Sequence, residues 1–193
     1  MYRVKPIISG SCNWAFTLID TPGFVDVEEH NLEILENIAE TLTKLASGRV
    51  FGAIYFHNIA EGRLTGSSLS VLGIFKAICG DKFFPHVAFV TTMWDTVKLR
   101  HHANLEQVHK ELGEGPMKVR GAPGIFKRIR DDDEGSKEVL RYFTLLARKR
   151  PTPPPLQLVR ELRAETKNVG STAAGRKILE DDRSGPTACC TVM

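Results

Sequence analysis

Long apolar runs are missing from this 193-residue sequence. A membrane-spanning helix needs roughly 18–20 consecutive apolar residues, and no stretch approaches that length. Residues 1–11 also lack the apolar core of a signal peptide. We therefore expect a soluble body in the cytoplasm.

Cysteine is scarce, and neither sign of charge dominates. The four cysteines have neither the spacing of a disulfide framework nor the paired spacing of a zinc site, which favours a reducing compartment. The 26 basic and 23 acidic residues leave a net charge of +3, and the basic residues are scattered along the chain. A nucleic-acid-binding surface needs a clustered basic patch, so we expect no nucleic-acid partner.

The sequence does contain short apolar runs that alternate with amphipathic segments. Strands are predicted at residues 15–19, 50–56, 86–91 and 124–129, with residues 2–8 as a partner for the first. Helical spacing of apolar residues follows in segments 28–48, 67–80, 105–112 and 139–146. This order predicts an α/β fold: a doubly wound, mostly parallel sheet with helices on both faces.

The body of the domain is predicted to span residues 1–150. Four prolines between residues 151 and 155 predict a stiff hinge, because each proline ring holds an extended backbone. One further helix is expected in residues 151–182, packing back on the body, and residues 183–193 are expected to be a disordered tail.

Two polar motifs follow predicted strands, where ligands bind in open parallel sheets. In the first, Asp20-Thr21-Pro22-Gly23, a carboxylate can hold Mg²⁺ through water while the glycine amide approaches a terminal phosphate. The alternative is an ordinary turn, since Asp, Pro and Gly are common turn residues.

The second motif is Thr91-Thr92-Met93-Trp94-Asp95. A carboxylate at this strand end can accept two hydrogen bonds from the N1 and N2 edge of guanine, and the alternative is a helix cap. The two motifs are separated by a helix, a strand and another helix, and this order favours a ligand site over two unrelated turns.

These motifs and several shorter segments together resemble the fungal G-domain proteins, relatives of the septins and the immunity-associated GTPases in the P-loop GTPase class. The resemblance covers roughly residues 14–180. It is carried by Thr17-Leu18-Ile19-Asp20-Thr21-Pro22-Gly23-Phe24, Gly52-Ala53-Ile54-Tyr55-Phe56-His57, Arg63, Gly66-Ser67-Ser68, Cys79-Gly80, Val90-Thr91-Thr92-Met93-Trp94-Asp95 and Ser171-Thr172-Ala173-Ala174-Gly175.

The resemblance implies that the chain binds GTP or GDP together with Mg²⁺. Asp20 would sit in the second shell of Mg²⁺, next to Thr21 in the same motif, and Gly23 would sense the γ-phosphate. Thr92 would brace the loop from which Asp95 selects guanine over adenine. Met93 stands where the family has a lysine, and it can cover the base but supplies no charge.

The phosphate loop of the family is missing. No Gly-x-x-x-x-Gly-Lys-Ser/Thr motif occurs, nor a single Gly-Lys pair. In the family this loop follows the first strand, which lies between the strands predicted here at residues 15–19 and 50–56. We therefore expect an N-terminally incomplete G domain, lacking that strand and that loop, or a chain in which something else fills the gap.

Hydrolysis of GTP is expected to be slow, because Phe24 replaces the glutamine that positions the attacking water in many signalling GTPases. Arg63 and His57 are candidates to substitute for it, or a second copy could do so across a homodimer formed through the nucleotide face. The alternatives are a surface ion pair for Arg63 and a loop cap for His57.

The last four residues begin with Cys190 and fit a C-a-a-X prenylation motif with a terminal methionine. Adjacent Cys189 offers a second lipid site, which stable membrane association would need. The alternative is an unstructured tail that ends this way by chance.

Two hypotheses for function remain open. In its complete form the protein is a GTP-binding switch with slow hydrolysis; alternatively it is a nucleotide-free interaction module that keeps the fold as a scaffold.

Overall fold

The structure is a computed structural model that describes residues 2–3, 17–24, 31–44, 50–62, 65–98, 101–114, 124–129, 133–150, 152–164 and 168–184. Within these ranges the strands are β1 (Tyr2–Arg3), β2 (Thr17–Leu18), β3 (Ala53–Asn58), β4 (Val87–Thr92) and β5 (Ile125–Arg128). The α-helices are α1 (Asn31–Lys44), α2 (Gly66–Cys79), α3 (His102–Glu114), α4 (Asp133–Lys149), α5 (Gln157–Ala164) and α6 (Ala173–Ser184).

The described strands form two sheets. β3, β4 and β5 pair in that order, all parallel, so that β4 is the central strand. β1 and β2 form a separate antiparallel pair, in which Tyr2 lies opposite Leu18. The predicted parallel α/β sheet is therefore confirmed.

The prediction of a buried strand at residues 15–19 is wrong for the described part of that segment. Only Thr17 and Leu18 are in strand conformation, both are exposed, and their strand lies outside the parallel sheet. A strand is buried when helices or another sheet cover its faces, and among the described strands β2 pairs only with β1, outside the helix-covered parallel sheet.

Successive side chains of β4 point to opposite faces of the parallel sheet. Helices cover both of these faces. Val87 and Phe89 pack into a core cluster with Leu105 and Leu112 of α3. Ala88 and Val90, on the other face, pack with side chains of α4, including Val139 and Phe143. β4 is consequently buried almost throughout, which explains its continuous apolar sequence.

α2 begins one residue before the predicted segment 67–80. Thr65 is the N-cap, and its side-chain oxygen accepts a hydrogen bond from the backbone N–H of Ser68. Gly80 ends the helix with φ 73°, a positive value that glycine adopts without strain.

The C-terminal region contains two helices rather than the single one predicted. A short 3₁₀ helix, Val169–Ser171, separates α5 from α6. Ile178 of α6 packs with Ile74 of α2 and Leu158 of α5 in a second core cluster. Arg183 and Ser184 belong to α6, which corrects the prediction that disorder begins at residue 183; residues 185–193 lie outside the described ranges.

In the part of the chain that the structure describes, no helix has the length and apolar character needed to cross a bilayer.

Candidate functional site

The carboxyl edge of the parallel sheet brings together the ends of three strands. Asn58 at the end of β3 lies opposite Thr92 at the end of β4, and Thr91 lies opposite Arg128 at the end of β5. Residues 93–98 follow β4, which is the central strand of the sheet. Parallel strands always place their carboxyl ends at one edge, so this is where the fold can bind a ligand.

The segment after β4 has an unusual backbone. Met93 has φ 62°, the left-handed region that non-glycine residues rarely enter, and its side chain is 54% exposed. Trp94, the next residue, is fully buried, while Asp95 is exposed. The Thr96 hydroxyl donates to the Met93 carbonyl oxygen at 2.7 Å. Met93 and Asp95 are thus both exposed in this turn, on either side of the buried Trp94.

Four side chains, which we call the tryptophan cluster, hold this segment: Thr91, Trp94, His109 and Arg128. The Trp94 indole N–H donates to Thr91 Oγ1 at 3.0 Å, and the same oxygen lies 3.0 Å from His109 Nδ1. The Arg128 guanidinium carbon lies 3.8 Å from the centre of the Trp94 ring. A guanidinium over an indole is attracted by the electron-rich ring face. Through this contact, Arg128 of β5 packs on Trp94.

The environment of the cluster disfavours protonation of His109. Burial lowers the pKa of His109, the positive charge of Arg128 lowers it further, and Glu106 opposes both effects. Arg128 and Glu106 form an ion pair at this end of the sheet. The imidazole also stacks on Phe126, with 4.3 Å between ring centroids, and contacts Trp94 edge-on.

His57 lies beside this cluster, inside β3 rather than in the loop where the sequence placed it. It is 4% exposed, and its Nε2 atom is buried without a hydrogen-bond partner among the described residues. Burial lowers the pKa of His57, and Glu61 raises it by a smaller amount. The Thr92 hydroxyl donates to the His57 carbonyl oxygen on the neighbouring strand over a long 3.4 Å.

The first predicted motif follows β2, in the other sheet. Asp20, Thr21 and Gly23 are exposed, and Phe24 is half-buried against the cluster of α1, α2, α5 and α6. Since β2 and β4 belong to different sheets, strand pairing does not bring Asp20 and Asp95 to a common edge. Their joint action on one nucleotide stays a prediction.

Metal ligands are sparse in the described ranges, where no group of three or more His, Cys, Asp or Glu side chains is placed to hold an ion. Arg63, Cys189 and Cys190 lie outside the described residues, so their predicted roles are neither supported nor contradicted.

The sequence analysis missed His109, Arg128 and Glu106. One signal was available: His109 is four residues after Leu105 and three before Leu112, and so lies on the face of α3 that turns toward the sheet. No local pattern indicated Arg128, because its partners Trp94 and Glu106 lie in the segment after β4 and in α3.

Met93 and Asp95 are both exposed in the segment after the central strand, and a carboxylate at such a position can accept hydrogen bonds. Comparison of the sequence with models of known protein families and with curated proteins found no match.

Proposed function

We propose that this chain is a guanine-nucleotide-binding domain of the P-loop GTPase class, in which Asp95 reads the guanine base. The observation that carries the proposal is the segment after the central parallel strand. It exposes Asp95 beside Met93 on a turn fixed by a buried tryptophan. The resemblance assigns guanine recognition to this same position.

The separation of the two sheets supports the class. In a G domain the first strand lies between the counterparts of β2 and β3, and the phosphate loop follows it. Among the described strands, β2 and β3 are not paired with each other, and β2 pairs with β1 in antiparallel fashion. A G domain without its first strand would leave β2 and β3 unpaired in this way. Thr21 and Gly23 would then face the phosphates, with Asp20 near the Mg²⁺ that neutralises them.

Affinity is expected to be weak because the phosphates have no Gly-Lys loop in these 193 residues. We expect a Kd above about 1 mM, so the test uses ¹⁵N-labelled protein titrated to roughly 10 mM nucleotide with Mg²⁺. GDP should shift the amide signals of residues 92–96 more strongly than ADP does, because adenine lacks the N1 and N2 donors.

Asp95→Asn gives the sharper test. An asparagine replaces one acceptor with a donor, so it should lose the preference for GDP and gain one for XDP, whose base has an oxygen at position 2. Asp182→Asn, an exposed substitution in α6, is the matched control and should behave as the wild type. Equal responses to GDP and ADP, or an unchanged preference in Asp95→Asn, would contradict guanine recognition.

The second candidate is a nucleotide-free scaffold, favoured by the missing phosphate loop and by Met93 in place of lysine. No shift with any nucleotide at roughly 10 mM would support it. Membrane attachment through Cys190, with Cys189 as a second lipid site, and pairing of two copies through the nucleotide face remain predictions.

A further inference from the structure

Basic side chains gather on the outer face of α4, in its C-terminal half. Arg141, Arg148 and Lys149 are exposed, and Leu145 between them is 48% exposed. Residues three and four apart lie on one side of a helix, so these four residues form a single surface, which we call the α4 patch. The opposite side of the helix packs on the parallel sheet through core residues such as Phe143.

Neighbouring acids do not neutralise the α4 patch in the described part of the chain, where none of its three cations is in an ion pair. The acid that precedes the patch on the helix, Glu138, already has a partner, because Lys127 of β5 lies 2.8 Å from its carboxylate. Lys127 is the main cause of the lowered pKa of Glu138, and Arg141 contributes less. From Val139 to Arg160 the sequence contains no aspartate or glutamate.

The acidic end of α4 lies far from the end of the patch. Residues 131–134 are all acidic, and Glu134 is exposed. An α-helix rises about 1.5 Å per residue, so about 21 Å separate Glu134 from Arg148 along the helix axis. Exposed charges are screened over about 8 Å at physiological ionic strength. The patch is therefore a local positive surface, although the whole chain carries a net charge of only +3.

We propose that the α4 patch docks on an anionic lipid bilayer. Its arginine and lysine side chains contact the negatively charged headgroups, to which such a surface is attracted. Leu145 enters the boundary between headgroups and acyl chains, where an exposed leucine loses contact with water.

A lipid surface fits the patch better than a nucleic acid does. Proteins that bind single-stranded nucleic acid combine basic residues with exposed aromatic rings on which the bases stack. The aromatic residues of α4 are Tyr142 and Phe143, and neither is exposed. The Tyr142 hydroxyl is turned toward the protein, where it donates to the Pro85 carbonyl oxygen at 2.6 Å. The exposed apolar residue within the patch is instead an aliphatic one.

This attraction is reversible and adds to any lipid anchor. Each cation near an anionic leaflet raises the affinity about fivefold, so the three cations together contribute about 100-fold. A single prenyl chain binds membranes only marginally, and a basic surface is one form of the second signal that stable association needs. The α4 patch would supply that signal beside the lipid predicted at Cys190, without a lipid on Cys189. The proposal does not depend on guanine recognition.

The test is sedimentation of the full-length chain, without nucleotide and without a prenyl group, with vesicles of known composition. Binding should be at least tenfold tighter to vesicles of phosphatidylcholine and phosphatidylserine than to phosphatidylcholine alone. It should weaken strongly between about 50 mM and about 500 mM NaCl, because salt screens exposed charges. Equal binding to the two kinds of vesicle at low salt would overturn the proposal.

Two triple variants separate the patch from the total charge. Arg141→Gln/Arg148→Gln/Lys149→Gln should lower the affinity for the anionic vesicles about 100-fold. The matched control replaces three exposed cations on α3, α5 and α6, as Lys110→Gln/Arg163→Gln/Arg183→Gln. Both variants lose three positive charges, so equal losses of affinity would show that the patch has no special role.

Leu145→Ser keeps every charge and should lower the affinity several-fold; an unchanged affinity would refute insertion of this side chain. Glutamine is a good helix former, so the α4 variant should keep its helix, which far-UV circular dichroism measures. Should it fail to fold, Arg148→Gln alone decides, with an expected loss of about fivefold. Tighter binding of the wild type to a DNA duplex or to polyglutamate than to the anionic vesicles would assign the patch to another polyanion and overturn docking on lipid.

Discussion

Replacing Thr91 with valine tests the hydrogen bonds of the tryptophan cluster most directly. Valine keeps the branched shape and suits a strand, so the change removes one hydroxyl and little else. The fully buried Trp94 N–H would lose its acceptor, and an unsatisfied buried donor costs about 1–3 kcal/mol. His109 is only partly buried and can regain part of its hydrogen bonding from water, so its share is smaller.

We therefore expect Thr91→Val to lower the free energy of unfolding by about 2–3 kcal/mol. That is a large part of the 5–15 kcal/mol typical of a domain. For a chain of this size the midpoint of thermal unfolding should fall by roughly 4–12 °C. Urea denaturation followed by far-UV circular dichroism measures the free energy, and a thermal scan measures the midpoint.

The neighbouring threonine supplies a matched control. Thr92 is partly buried, and its hydroxyl makes only the 3.4 Å contact with the His57 carbonyl, so Thr92→Val should cost under about 1 kcal/mol. Equal losses in the two variants would refute the reasoning, because the buried chain of hydrogen bonds would then contribute no more than a surface hydroxyl.

Two further predictions concern packing. A Cβ atom at Gly52 would lie 2.2 Å from a ring carbon of the buried Phe143, so Gly52→Ala should destabilise the protein by about 1–3 kcal/mol in urea denaturation. Gly66→Ala, where a Cβ meets open space, should be neutral or stabilise by under about 1 kcal/mol, and similar values for the two variants would contradict the packing argument. Cys79 is 2% exposed, and burial raises the pKa of its thiol, so peptide mass mapping should find it unalkylated in folded protein and alkylated in guanidinium chloride. Alkylation of Cys79 at the same rate in both states would show that the thiol is not enclosed.

The two aspartates of the predicted motifs show how much of the candidate site can be predicted from sequence patterns. Asp95 follows the central strand and is exposed at the carboxyl edge, as its position after an apolar run indicated. Asp20 also follows an apolar run, yet its strand pairs elsewhere. The pattern marks where a strand ends, but the neighbours of that strand are set by hydrogen bonds to distant segments.

The sequence by itself determined the alternation of strands and helices from β3 to α4, because the periods of apolar residues are local properties of the chain. It also marked Met93 and Asp95 as residues that follow a buried strand, with Thr92 at the end of that strand. Only the tertiary structure decided that β2 leaves the parallel sheet, that the C-terminal region divides into α5 and α6, and that Met93 takes a left-handed conformation. It also brought His109 to Thr91, eighteen residues away, and Arg128 over Trp94. These features depend on contacts between residues far apart in sequence, and a local sequence pattern cannot predict such contacts.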